Sequence, residues 1–194
     1  MKFRMLAVAA AMALSAGAHA SSVVFSDDFD SDTPGLNTVP SLQGWTITNG
    51  GTVDVIPEGG QFNFLGSGEF VDLDGSTGKS GELTNSISVA PGWYSMTFEL
   101  AGNHRDTNPD TVTVTLGGTS VQDTPVSETS TDYYTVTGYT STGSLTFSFL
   151  DSSSDNIGAL LDNVTISAVP EPGNLALMLA GFAALGVVAR RRRS

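Results

Sequence analysis

Apolar and polar residues alternate in short runs through the middle of the chain. In the stretch WYSMTFEL, the apolar side chains from Tyr94 to Leu100 fall on one face, while Trp93 and three polar residues fall on the other. The same period of two occurs in TVTVTL (111–116) and SLTFSFL (144–150), and more briefly at Val53–Val55 and Phe62–Phe64. This period is typical of antiparallel strands with one buried face.

Clusters of Gly, Pro, Asn and Asp separate these runs and supply turns between strands. Threonine and valine, which suit strands, are abundant, and no stretch between the two ends of the chain keeps helical periodicity over three turns. We therefore predict an all-β fold, a single antiparallel two-sheet sandwich of the jelly-roll type with about nine to eleven strands.

The first twenty residues have the features of a secretory signal peptide. Lys2 and Arg4 precede the apolar run from Leu6 to Ala16, and the small residues Ala18 and Ala20 flank His19. This order is typical of a leader that signal peptidase removes. We expect cleavage after Ala20, so that residues 21–168 form the exported sandwich domain.

The last residues, 169–194, form a separate segment. Residues 173–189 carry no charge, and a helix of this length would reach about 26 Å, within the range of a transmembrane helix. The arginine cluster that follows would stay on the cytoplasmic side. The segment therefore predicts a membrane anchor whose charged and proline-containing flanks are Pro170, Glu171, Pro172, Arg190, Arg191, Arg192 and Arg193.

This combination of Val-Pro-Glu-Pro, an apolar helix and terminal arginines resembles the PEP-CTERM sorting signal. The resemblance implies that an exosortase, a membrane processing enzyme of Gram-negative bacteria that make exopolysaccharide, recognises and removes the tail. The protein would then be held transiently at the inner membrane before it reaches the cell surface or the extracellular matrix. An ordinary single-span anchor is the alternative.

Charge restricts the partners of the exported domain. Residues 21–168 contain 19 acidic residues but only Lys79 and Arg105 as bases, a net charge of −17. Such a domain repels nucleic acid, so we expect no nucleic-acid partner. The chain has no cysteine, and disulfides are therefore excluded as a source of stability.

The domain also resembles the galactose-binding-like jelly rolls of anchored bacterial surface proteins, the choice-of-anchor type among them. The resemblance rests on FELAGN at 98–103 and on LDNV at 161–164. It implies a two-sheet sandwich, but this fold has many roles.

Aspartates near the two ends of the domain are candidate metal ligands. In a regular last strand, Asp162 would share the inward face with Leu160 and Val164, where a carboxylate needs a cation or hydrogen-bond donors. The resemblance implies a structural calcium held by Asp30 and Asp162, with Asp28 as a secondary candidate, and carboxylate oxygens suit calcium. Alternatively, Asp162 accepts backbone N–H groups at a strand bend.

Binding to a polysaccharide would require exposed aromatic rings, for which Trp93 and Trp45 are the candidates. No motif of a catalytic triad, zinc protease or phosphate loop is present, so we predict a protein that is not an enzyme. We predict an exported surface or matrix protein associated with exopolysaccharide in a biofilm. The alternatives are a carbohydrate-binding module with a defined sugar ligand and a glycan-active hydrolase.

Overall fold

The computed structural model describes residues 21–38, 42–62, 64–65, 67–105, 109–123, 131–153, 155–170, 181–182, 185–186 and 189–191. Val23–Val169 forms one compact unit, and Met1–Ser22 with Pro170–Ser194 forms the other. The predicted signal peptide, with Ala18 and Ala20, lies outside the described residues.

Twelve strands are present in the described part of the Val23–Val169 unit. They are β1 (Val23–Asp27), β2 (Gly35–Thr38), β3 (Thr46–Thr48), β4 (Val53–Ile56), β5 (Phe70–Asp72), β6 (Glu82–Ser88), β7 (Gly92–Ala101), β8 (Val112–Leu116), β9 (Thr119–Asp123), β10 (Thr131–Thr140), β11 (Ser144–Asp151) and β12 (Leu160–Val169).

These strands form two antiparallel sheets, which confirms the predicted all-β sandwich. The first sheet has the order β10-β7-β12-β5-β4-β2, and the second has the order β3-β6-β11-β8-β9. Strand β12 pairs with β7 along one edge. Its other edge pairs with β5 at Leu160–Leu161 and with β1 near Val164–Ser167. The first and last strands are therefore neighbours.

The core lies between the sheets and follows the predicted alternation. In β7, Tyr94, Met96, Phe98 and Leu100 are buried, and β8 and β11 bury their apolar side chains in the same alternating way. Trp45 lies at the centre of an aromatic cluster, with its ring centroid 5.2 Å from that of Phe147 and 5.6 Å from that of Phe25. Burial of one such ring contributes about 2–3 kcal/mol to folding.

The strand prediction fails near Phe62 and Phe64, which lie outside the strands. Phe64 instead packs against a second, smaller apolar cluster formed by Ile56, Phe70, Ala101 and Leu160. Strand β4 is therefore buried on both faces rather than on one, because this cluster covers the side of the first sheet that faces away from the main core.

Candidate functional site

Asp162 lies at a β-bulge, and this changes the face on which its side chain lies. In the pairing of β12 with β7, Asp162 is opposite Glu99 but the next pair is Thr165 with Thr97, so β12 contains one extra residue. Asn163 has a φ of 52°, a left-handed conformation that asparagine tolerates. The prediction that Asp162 shares the inward face with Val164 is wrong, because the bulge reverses the alternation between them.

Asp162 is nevertheless buried. It lies on the outer side of the first sheet, with other acidic groups nearby. Only 5% of the residue is exposed. Burial raises the pKa of Asp162 from 3.8 to about 7, the backbone N–H of Asn163 lowers it, and the nearby carboxylates of Glu99, Asp30 and Asp28 raise it further. We call Asp28, Asp30, Glu99 and Asp162 the outer acidic site.

The donors to the outer acidic site come from its own neighbourhood. The backbone N–H of Asn163 donates to Asp162 Oδ1 at 2.7 Å, and Asn163 Nδ2 donates to Glu99 Oε2 at 2.8 Å. Asp30 Oδ1 accepts from the backbone N–H of Glu69 at 2.7 Å. Asp162 therefore accepts a backbone N–H at a bend of the strand, as the alternative to calcium binding expects.

The oxygen ligands of the outer acidic site have the chemistry that calcium prefers. However, the described residues contain no group of three or more Asp, Glu, His or Cys side chains arranged to hold a metal ion. The described side chains alone therefore do not complete a calcium shell, and calcium binding by Asp30 and Asp162 stays a prediction.

Trp45 is not available for contact with a sugar. The residue is only 2% exposed, and its Nε1 donates to Asp27 Oδ2 at 2.7 Å. The same carboxylate accepts from the backbone N–H of Phe29 at 3.0 Å, where Phe29 adopts a φ of 55°. Asp27 thus fixes the chain after β1 and orients Trp45 into the core, which corrects the prediction of Trp45 as a sugar contact.

A second group of carboxylates lies at the ends of β5 and β11. Arg105 Nη2 forms an ion pair with Asp72 Oδ2 at 2.5 Å. Even so, burial raises the pKa of Asp72 to about 7, while Arg105 and the backbone N–H groups of Asp74 and Gly158 lower it. No local pattern predicts this pairing, because the two residues lie 33 positions apart in the chain.

Asp74 and Asp151 accompany Asp72, and we call these three the buried acidic cluster. Asp74 is fully buried, and its Oδ2 accepts from the Ser153 hydroxyl at 2.9 Å and from two backbone N–H groups. Within the described part of the chain, its Oδ1 has no hydrogen-bond partner. Burial also raises the pKa of Asp151, and the nearby Asp74 adds to this rise. The cluster joins the loop after β11 to the turn after β5.

The outer face of β10, β7 and β12 presents hydroxyl groups between aromatic and acidic ends. Its rows follow the strand register: Tyr139, Trp93 and Val169; Thr137, Ser95 and Ser167; Thr135, Thr97 and Thr165; Tyr133, Glu99 and Asp162. We call these four rows the hydroxyl face.

The aromatic end of the hydroxyl face is solvent-accessible. Trp93 is 47% exposed and Tyr139 is 45% exposed, and their ring centroids are 5.4 Å apart. At the other end, Tyr133 is 75% exposed, and the nearby carboxylate of Glu99 raises its pKa through its charge and a hydrogen bond. The predicted exposure of Trp93 is therefore observed, whereas its role with sugars stays a prediction.

Only part of the C-terminal segment is described. Strand β12 continues to Val169, Pro170 follows it, and residues 181–182, 185–186 and 189–191 are helical. Among the described residues, no helix has the length and apolar character needed to cross a membrane. Glu171, Pro172, Arg192, Arg193 and most of the predicted helix at 173–189 lie outside the described residues, whereas Arg190 and Arg191 lie in helical positions.

Three known structures illustrate the fold. The K3 cleaved adhesin domain of Lys-gingipain from Porphyromonas gingivalis has a TM-score of 0.50 and 16% identity, covering 76% of this chain and 100% of that chain. A family 35 carbohydrate binding module from Clostridium thermocellum has a TM-score of 0.45 and 14% identity, covering 71% and 99%. The CBM22-1 xylan-binding domain of Paenibacillus barcinonensis Xyn10C has a TM-score of 0.49 and 19% identity, covering 80% and 99%. The similarity to the adhesin domain shows the fold alone.

A search of curated protein sequences gave no significant match. By contrast, residues 168–193 match the family model of the PEP-CTERM protein-sorting motif. The match begins within β12, two residues before Pro170. The chain therefore carries a PEP-CTERM sorting motif, the recognition signal of exosortase, and is an exported protein sorted to the cell envelope.

Proposed function

We propose that the protein is a non-catalytic surface or matrix protein that binds exopolysaccharide through the hydroxyl face after export. The sorting motif supports the location. The exposed pair of Trp93 and Tyr139 beside rows of threonine and serine carries the proposal for binding.

The chemistry of the hydroxyl face suits a sugar polymer. Exposed aromatic rings can pack against the apolar faces of sugar rings, and side-chain hydroxyls both donate and accept hydrogen bonds. Glu99 lies six residues beyond Trp93 along the strand, or about 20 Å away at ~3.3 Å per residue. The face is therefore long enough for several linked sugars, which favours a polymer over a single monosaccharide.

A hydrolase is less well supported than a binding protein. Hydrolysis of a glycosidic bond requires two carboxyl groups that flank the bond. Glu99 and Asp162 are paired in the strand register, but Asp162 is 95% covered and its acidic neighbours lie on the same side. The imidazole ring of His104 stacks on the ring of Phe64, with ring centroids 5.3 Å apart. Release of reducing ends from the bound polysaccharide would reverse this assignment.

Binding can be tested by sedimentation of residues 21–169, which contain the compact unit that remains after removal of the sorting motif, with insoluble polysaccharides and with the exopolysaccharide of the producing bacterium. We expect Trp93→Ala to weaken binding by about tenfold, equivalent to ~1.4 kcal/mol. Val121→Ala is the matched control, because Val121 is an exposed apolar residue of the second sheet. Equal binding of both variants, or no retention on any polysaccharide, would contradict the proposal.

A further inference from the structure

Among the residues that the structure describes, those at one end of the sandwich carry no charge. The segments 21–26, 83–98, 133–150 and 163–170 contain no Asp, Glu, Lys, Arg or His. These segments include the start of β1, the turn between β6 and β7, the turn between β10 and β11 and the end of β12, which the strand register brings to the same end of the fold. We call this end the uncharged pole.

Exposed apolar side chains are concentrated at the uncharged pole. Val23 is 60% exposed, Trp93 47%, Tyr139 45% and Val169 36%. The register places Trp93 opposite both Tyr139 and Val169, and Val23 opposite Ser167. In a domain with a net charge of −17, an apolar surface without charge calls for a partner that is itself apolar or amphipathic.

The chain itself restricts how far this pole can be from a membrane. Val169 is the last residue of β12, and the uncharged run of the sorting motif begins four residues later, at Gly173. Four residues span at most about 14 Å when fully extended. If the run at 173–189 inserts into the lipid, the uncharged pole is therefore held within about 14 Å of the hydrocarbon core.

We infer that the uncharged pole rests in the lipid headgroup layer while the sorting motif is attached. Tryptophan and tyrosine are enriched at this depth, because their rings are apolar at one end and polar at the other. Trp93 and Tyr139 supply these rings, and Val23 and Val169 add apolar area beside them.

Charge favours the same orientation. Glu99 and Asp162 lie at the opposite end of the hydroxyl face, about 20 Å from Trp93 along β7. This distance exceeds the screening length of ~8 Å at physiological ionic strength. With the uncharged pole on the membrane, the outer acidic site therefore escapes most of the repulsion from anionic lipids, which the opposite orientation would maximise.

Lipid and polysaccharide would occupy the pole at different times. Removal of the sorting motif ends the tether at Val169 and frees Trp93 and Tyr139 for the sugar polymer. The membrane contact does not depend on sugar binding, and a failure of either proposal can be recognised separately, since the membrane contact is measured without polysaccharide.

The test uses the chain 21–194 in vesicles of phosphatidylethanolamine and phosphatidylglycerol, with and without brominated acyl chains. The protein has two tryptophans, of which Trp45 is buried and Trp93 is exposed. Brominated lipid should reduce the Trp93 emission about twofold, as for a ring at the membrane interface. In Trp93→Phe, which leaves Trp45 alone, the emission should not change.

A matched control moves the reporter to the other end of the same face. In the Trp93→Phe background, Tyr133→Trp places an exposed tryptophan beside the outer acidic site. We expect no quenching of this variant, and equal melting temperatures should show that all three proteins are folded. Quenching at both positions, quenching at position 133 alone, or no quenching at either position would overturn the inference. No quenching at either position would also be the result if the partner of the pole is the processing enzyme, which the vesicles lack, instead of lipid.

Discussion

Replacing Asp162 by Asn tests whether the ionised carboxylate of Asp162 lowers the free energy of unfolding. Asn keeps an oxygen that can accept the backbone N–H of Asn163, now 2.7 Å from Asp162 Oδ1, and has nearly the same volume. It removes the ionisation and gives up only the long hydrogen bond from Asn163 Nδ2 to Asp162 Oδ2, 3.2 Å in length. We therefore expect Asp162→Asn to stabilise the protein at neutral and alkaline pH in the absence of divalent cations.

The magnitude follows from the pKa of Asp162, which rises from 3.8 to about 7. Each unit corresponds to ~1.4 kcal/mol, so the full shift corresponds to about 4 kcal/mol. Because the side chain borders the surface and accepts two donors from Asn163, we expect about half of this, ~2 kcal/mol. In a domain of this size, such a gain raises the melting temperature by about 4–8 °C.

The pH dependence has a definite sign. Between about pH 4 and 7, the folded protein keeps a proton on Asp162 that the unfolded chain has lost, so the free energy of unfolding falls as the pH rises. Above pH 7 the loss is complete, and below the unfolded pKa of 3.8 it is absent. The advantage of Asp162→Asn should therefore be greatest at pH 8 and should vanish near pH 3.5.

Thermal melting with a chelator at several pH values between 3.5 and 8 measures this effect. Asp132→Asn is the control, since Asp132 is an exposed aspartate of β10. If Asp162→Asn is no more stable than the parent at pH 8, the reasoning about burial and neighbouring charge is refuted. Millimolar calcium extends the test: a calcium site requires that calcium stabilise the parent and not the variant, whereas an unchanged parent would exclude the site.

Two further substitutions test the buried acidic cluster by melting. Arg105→Met should lower the free energy of unfolding at pH 8 by about 3 kcal/mol, because it leaves Asp72 without its cation, and the loss should shrink at pH 5, where Asp72 is protonated. Gly158→Ala should lower the free energy of unfolding by at least ~2 kcal/mol, since its Cβ would lie 2.4 Å from the backbone N of Asp74. Gly35→Ala is the control and should be nearly neutral, because no atom lies within 4 Å of its Cβ.

The alternation of side chains allowed the fold to be predicted, because each long strand buries one face. Period two in the segments that became β7, β8 and β11 directly reports contact with the core. The same rule fails where burial has another cause. Phe62 and Phe64 alternate but lie outside the strands, and β4 is buried on both faces. Local periodicity cannot separate these cases, since the covering residues are distant in sequence.

The candidate site was less predictable, because it depends on a backbone irregularity and on long-range pairing. The bulge at Asp162 and Asn163 has no signal in the alternation except the asparagine itself, which tolerates a positive φ. The side chain of Arg105 crosses to Asp72 at the end of β5, 33 residues earlier in the chain. An arginine in a loop can reach many acids, and only the fold selects among them.

The raised pKa values and the uncharged pole have a common origin. An exported domain with 19 acids and two bases must place its negative charge somewhere, and one end of the sandwich is kept free of it. The acids are consequently crowded toward the other end, where burial and mutual repulsion raise the pKa of Asp72, Asp151 and Asp162. The end without charge is thus neutral, while the crowded acids at the other end lower the stability of the folded domain at neutral pH. Salt, which screens repulsion among partly exposed acids, should therefore stabilise the domain more at pH 8 than at pH 5, whereas a domain with evenly mixed charges would show little difference.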